Sequence, residues 1–235
     1  MFLIYCVNIS DFKNKDKFVD LFKYISEEKY KKLMRYTKIN DRKRGLISEL
    51  LVRYLISIKS NIKSNQIILD KGKYGKPFVK NISGIEYNVS HSGQFVVCAI
   101  GNHPVGIDVE QILNFDLSIC NKIFETKEYE VFQQINNFEK LEYFYRMWSL
   151  KESFIKAKGC GLYMKLNSVR INAANENNIY CFYQGNKYYF KEYKIDLCYK
   201  LSICSNIKEF PNEIKIFNFE EFYNLIETKC LPIII

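Results

Sequence analysis

Residue types that often build metal and redox sites are sparse or scattered in this chain. It holds only two histidines. Its eight cysteines (Cys6, Cys98, Cys120, Cys160, Cys181, Cys198, Cys204 and Cys230) include no C-x-x-C pair, so a zinc ribbon or finger has no ligand set. They read as reduced core or surface thiols of a cytoplasmic protein. No run of about 18 apolar residues occurs. The opening MFLIYCVNISDFKNK lacks the basic segment that precedes the apolar stretch of a signal peptide. Membrane and export are therefore not expected. A G-x-S-x-G elbow is missing as well, which argues against a hydrolase built on the neighbouring Ser90 and His91, because adjacent residues of a strand point to opposite faces. Zinc-finger spacing, an aromatic RNA-binding strand and a basic zipper are all lacking, so no motif supports nucleic-acid binding. No long linker or low-complexity segment divides the chain.

What is present suffices for a folded core, since 48% of the 235 residues are apolar. The formal net charge of +9 invites a polyanionic partner. Lysine, asparagine, isoleucine and tyrosine are all heavily used, however, and compositional background explains much of that charge.

Hydrophobic spacing lays out two similar runs of elements. Phe2 to Ile9 reads as a strand. Ser10 reads as the cap of a helix through Phe18, Leu21, Phe22 and Ile25, and Ser26 as the cap of a second, short one. Ile47, Leu50, Leu51, Tyr54, Leu55 and Ile58 recur at helical steps, predicting a long helix over 41–59. Strand-like runs follow at 67–69, 85–89, 95–100 and 105–109, with a glycine-containing turn at Lys71 to Pro77. Helical patterns return at 116–124, 126–135 and 138–158, and strands at 169–171, 179–183, 188–195 and 201–204. Helices precede strands in both halves, so the expected fold is α+β, with two subdomains at 1–112 and 113–235.

Three motifs carry candidate chemistry. In Val105-Gly-Ile-Asp-Val-Glu110 the side chains alternate, which puts Asp108 and Glu110 on one strand face. Paired carboxylates repel, and a hard cation such as Mg²⁺ relieves the repulsion. An isolated D-x-E also reads as a solvated strand face. In the 138–158 helix Trp148, Glu152 and Lys156 are four apart and share a face. A surface ion pair between Glu152 and Lys156, with Gly159 ending the helix, is the plainer alternative. Glu86-Tyr-Asn-Val-Ser-His-Ser-Gly93 sets His91 among small residues at a strand end, where a phosphate can approach. Lys29 and Lys32, Arg42-Lys43-Arg44, and Lys73 to Lys76 are further cationic groups that, singly, read as solvated surface.

Taken in order, SEEKYKK, NDRKR, KYGKPF, YNVSHSG, GIDVE and WSLKESFIKAKGCGL resemble the successive motifs of the Sfp-type 4′-phosphopantetheinyl transferases, from Ser26 to Leu162. The resemblance implies a pseudo-dimer of two α+β subdomains with coenzyme A in the cleft between them. It implies transfer of the 4′-phosphopantetheine group to a serine of an apo acyl or peptidyl carrier protein, in fatty acid, polyketide or nonribosomal peptide assembly, by a cytoplasmic monomer. Asp108, Glu110 and Glu152 would hold Mg²⁺ or, alternatively, Mn²⁺. Lys29, Lys32, Arg44, Ser90 and His91 would line the phosphates of coenzyme A, and Lys76 and Pro77 the nucleotide. Glu152 would also help deprotonate the serine, and Lys156 would stabilise charge on the pyrophosphate. Three rivals remain: a silent coenzyme A- or carrier-binding module, which should have lost one of the three acids; a basic nucleic-acid-binding protein; and the smaller acyl-carrier synthase type, about half this length.

Overall fold

Alternating burial shapes the first sheet. In β1 (Leu3–Asn8) Ile4 and Cys6 face one way and Leu3, Tyr5 and Val7 the other. The computed structural model describes residues 1–233. After β1 come α1 (Lys15–Asp20), α2 (Glu27–Met34), α3 (Ile39–Ser60), a hairpin of β2 (Leu69–Lys71) and β3 (Pro77–Val79), then β4 (Glu86–Ser92), β5 (Phe95–Gly101) and β6 (Val105–Gln111). The second run comprises α4 (Cys120–Ile123), α5 (Thr126–Gln134), α6 (Asn137–Lys158), β7 (Ile171–Asn172), β8 (Ile179–Tyr183), β9 (Asn186–Tyr193), β10 (Tyr199–Ser205), β11 (Lys215–Phe217) and α7 (Phe219–Lys229).

Beside the two-stranded β2-β3 hairpin, two larger sheets result, ordered β11-β1-β5-β4 and β6-β10-β9-β8-β7. Helix α3 packs its Leu46, Ile47, Leu50, Leu51 and Leu55 into one core with the outer face of the first sheet, and α6 covers the second sheet through Phe144, Met147, Leu150 and Phe154. Between the sheets lies a third core, in which Ile4, Cys6, Val97 and Ala99 meet Val105, Ile107, Val109, Leu201 and Ile203. The layers therefore run helix, sheet, sheet, helix, an α+β pseudo-dimer whose halves are joined through apolar sheet faces. Fully burying one such aliphatic side chain contributes about 1.5–3 kcal/mol.

Several elements differ from expectation. Asn14, not Ser10, caps the first helix, its Oδ1 accepting from the amides of Asp16 and Lys17. The 116–124 segment breaks into a short turn and the single-turn α4. Strand β11 and helix α7, which no motif announced, return to the first subdomain, where β11 pairs parallel to β1 and Phe219, Phe222 and Ile226 enter its core. Strand β6 belongs to the second sheet by its pairing with β10. Strand β6, within 1–112, thus pairs in the second sheet, and β11 and α7, within 113–235, pack on the first. All eight cysteines are free thiols, six of them buried. Burial pushes the Cys6 thiol up to about 12.

Candidate active site

The apolar faces that join the sheets also orient the acids. With Val105, Ile107 and Val109 committed to the inter-sheet core, Gly106, Asp108 and Glu110 turn towards α6. Gly106 is required by space: a β-carbon there would overlap the Ser153 carbonyl oxygen and the Ala157 amide nitrogen of α6. Strand and helix backbones therefore run in direct contact at the point where the acids begin.

Edge strand β4 contributes the matching row. Its Asn88, Ser90 and Ser92 face β6: the Ile107 amide donates to Asn88 Oδ1 at 2.9 Å, Ser90 Oγ donates to Asp108 Oδ1 at 3.0 Å, and Ser92 Oγ donates to Glu110 Oε2 at 3.2 Å. From α6, Lys156 Nζ donates to Asp108 Oδ1 at 2.6 Å and to Ser90 Oγ at 2.9 Å, while Trp148 Nε1 donates to Glu110 Oε1 at 3.2 Å. The expected face of Trp148, Glu152 and Lys156 is thus real. Its lysine is bonded to Asp108 across the subdomain's own strand–helix contact rather than to Glu152.

The electrostatics are unbalanced towards negative charge. Asp108 is 2% exposed, and among the described residues its Oδ2 is buried without a hydrogen-bond partner, which costs about 1–3 kcal/mol if left so. Burial, and then the charge of Asp108, push the Glu110 carboxyl up to about 7. The same two causes raise Glu152, with Lys156 opposing them. As they stand, no three Asp, Glu, His or Cys side chains among the described residues converge to hold a metal ion. The donor set nonetheless fits a hard divalent cation: an orphaned carboxylate oxygen stands beside two acids whose protonation its charge promotes.

The cationic residues fall into three places. On the α3 side of β4, His91 is exposed on the face opposite Ser90, and surrounding protein together with Arg44 and then Lys156 lowers its pKa. Arg44 donates to the Gly93 carbonyl at 2.8 Å and pairs with Asp41. Lys29 pairs with Glu49 at 3.2 Å. Lys32 is lowered by partial burial and then by Lys71 and Lys29, a crowding of like charge that an anion would relieve. Lys76 behaves differently. Its Nζ donates to the Ala157 carbonyl at 3.1 Å and lies 3.5 Å from Glu86, capping the end of α6 from the other subdomain. Pro77 opens β3 and is partly buried. Ser92 and Asn88 were not foreseen as site residues, nor was Trp148 as a donor; the alternation of Asn88, Ser90 and Ser92 in one strand was the available signal.

Acids of β6 bonded to Lys156 of α6 and to serines of β4 from the other subdomain are an arrangement suited to group transfer at a phosphate. Residues 13–103 match the family model described as 4′-phosphopantetheinyl transferase, N-terminal, and residues 104–203 match the 4′-phosphopantetheinyl transferase superfamily. The chain is 34% identical over 200 residues to the 4′-phosphopantetheinyl transferase Sfp of Bacillus subtilis (strain 168), covering 84% of this chain and 89% of that one. It is 38% identical over 205 residues to the transferase gsp of Aneurinibacillus migulanus, covering 86% and 85%. An L-aminoadipate-semialdehyde dehydrogenase-phosphopantetheinyl transferase of Xenopus laevis shares 32% identity over 167 residues, 64% of this chain and 54% of that one. The chain belongs to the 4′-phosphopantetheinyl transferase superfamily and is an enzyme of that class.

Proposed function

We propose that this transferase takes the phosphopantetheine arm from coenzyme A and attaches it to a serine of an apo acyl or peptidyl carrier protein, releasing adenosine 3′,5′-bisphosphate. The observation that carries this reading is the buried, unpartnered Oδ2 of Asp108 beside Glu110, Glu152 and Lys156. Asp108, Glu110 and Glu152 would hold Mg²⁺, with Mn²⁺ as the alternative, and a bound ion supplies charge neutralisation for a pyrophosphate.

The chain's own residues account for the remaining parts. Lys29, Lys32, Arg44 and His91 would receive the phosphates, with His91, exposed at the end of β4, best suited to the 3′-phosphate. Ser90, whose hydroxyl lies on the other face of β4 between Asp108 and Lys156, would contribute on the pyrophosphate side only. Lys76 and Pro77 would border the nucleotide through backbone and ring, because the Lys76 ammonium is already bonded within the protein. In the transfer, the serine Oγ forms a bond to the β-phosphorus, the bond from that phosphorus to the bridging oxygen breaks, and the electron pair leaves on adenosine 3′,5′-bisphosphate. Glu152 would take the serine proton, directly or through water. Lys156 would offset charge building on the pyrophosphate.

The carrier would dock along 112–127. There Leu113 is 55% and Phe115 47% exposed, whereas Phe124 is core and unavailable. The net charge of +9 complements acidic carriers. We further read the protein as a cytoplasmic monomer, since two subdomains in one chain form the cleft; no helix among the described residues is long and apolar enough to cross a membrane. Intact-mass analysis of apo carriers incubated with enzyme, coenzyme A and Mg²⁺ tests the reading: one added phosphopantetheine group is expected, and none when a chelator is present from the start. Unchanged carrier mass across fatty acid, polyketide and peptide carriers would refute it.

A further inference from the structure

Next to Glu152 in α6 stands a residue that the catalytic reading does not use. Lys151 is 2% exposed and Glu128 4%, an ion pair at 2.7 Å entirely inside the second subdomain. Each N–H of the Lys151 ammonium has an acceptor: Glu128 Oε2, the Val169 carbonyl at 2.7 Å and the Leu166 carbonyl at 3.0 Å. The carboxylate is equally occupied, accepting from the Ile171 amide at 2.7 Å through Oε1 and from the Glu125 amide at 2.9 Å through Oε2. One buried pair thereby ties α6 to the start of α5, to the 166–169 segment and to β7.

The segments so tied flank one groove. A cleft of about 520 Å³ opens beside Glu152 and Trp148, walled on one side by Asn121 and Lys122 of α4, which leads into α5, and on the other by Met164 and Leu166. Leu166 itself supplies a carbonyl to Lys151. We infer that Lys151 and Glu128 are positioning residues for the acceptor substrate: they fix the width of the cleft through which the carrier serine must reach Glu152. The inference rests on the assignment of Glu152 and a protein acceptor above. An apolar pair of similar volume could supply packing there but would hold none of the four main-chain groups, so the pair's value lies in geometry more than in stability. Coenzyme A, assigned to the side bearing Arg44 and His91, should not sense it.

The test uses Lys151→Met, Glu128→Gln and the double variant Lys151→Met/Glu128→Leu, which removes both charges and so avoids an uncompensated buried ion. In the folded double variant, native-state tryptic cleavage after the exposed Lys165 should accelerate about tenfold or more. The carrier KM should rise about tenfold, while the calorimetric Kd for coenzyme A stays within about threefold, a split that general loosening would not give. Cleavage at the parent rate, or a carrier KM and coenzyme A Kd that move together or not at all, would overturn the inference. Hydrogen exchange on the unaltered enzyme covers the case in which no variant folds: the Ile171 amide should exchange as slowly as the α6 core amides, and exchange about a hundredfold faster would also overturn it. The cleavage and exchange arms do not depend on transfer activity, so failure of the wall and failure of the proposed reaction are told apart.

Discussion

Gly106→Ala puts a single methyl group between the two elements that carry the acids. The added β-carbon would overlap the Ser153 carbonyl oxygen and the Ala157 amide nitrogen, and lie 2.9 Å from the Lys156 carbonyl carbon. All three are backbone atoms of α6, so no side chain can rotate away. Restoring ordinary contact distances requires β6 and α6 to separate by roughly an ångström, and overpacking of this kind costs about 1–3 kcal/mol. The same displacement moves Asp108 and Glu110 away from Lys156, Trp148 and Glu152. A shift of about 1 Å in reacting geometry costs on the order of a hundredfold in rate. Urea denaturation read by tryptophan fluorescence, which follows Trp148, should show the lost stability. Transfer to a carrier, followed by mass, should show kcat/KM down about a hundredfold in the fraction that remains folded. A variant within about 0.5 kcal/mol of the parent and within about threefold in kcat/KM would refute the claim that close backbone approach at Gly106 sets the site.

Three further outcomes are expected. Because the folded-state pKa of Glu110 is raised from 4.5 to about 7, the metal-free protein should lose stability as pH rises between those values, by at most about 3 kcal/mol before solvent screening reduces it. Melting curves from pH 5 to 8 should show that loss and its recovery on adding Mg²⁺, and an unchanged pH slope in Glu110→Gln would remove the assignment. His91→Ala should weaken coenzyme A by about ten- to a hundredfold, a charged hydrogen bond's worth, with little effect on dephospho-coenzyme A. Calorimetry with both ligands checks this, and equal losses for the two would point to a structural role. Lys156→Ala should lower kcat by about a hundredfold or more with either substrate; a nearly silent variant in steady-state kinetics would make its bond to Asp108 merely structural.

Much of the site was legible before any folding was considered, because its information is local. Period-two alternation in Val105 to Glu110 determines that Asp108 and Glu110 share a face, and period-four spacing determines that Trp148, Glu152 and Lys156 do. The long helices were equally plain, as about six turns of apolar spacing in each outweigh local exceptions. Short elements were less so: one-turn α4 and three-residue β11 carry too few residues for periodicity, and α7 returns to the first sheet through contacts some two hundred residues distant in sequence, such as the Phe219 amide on Asp11. Only the tertiary structure decided the partners. That Lys156 bonds Asp108 rather than Glu152, that Ser90 and Ser92 of one subdomain satisfy acids of the other, and that Lys151 is buried against Glu128 all depend on which faces the apolar cores bring together. Sequence alone fixes which way a side chain leaves its own strand or helix; the packing of sheet on sheet fixes what waits there to receive it.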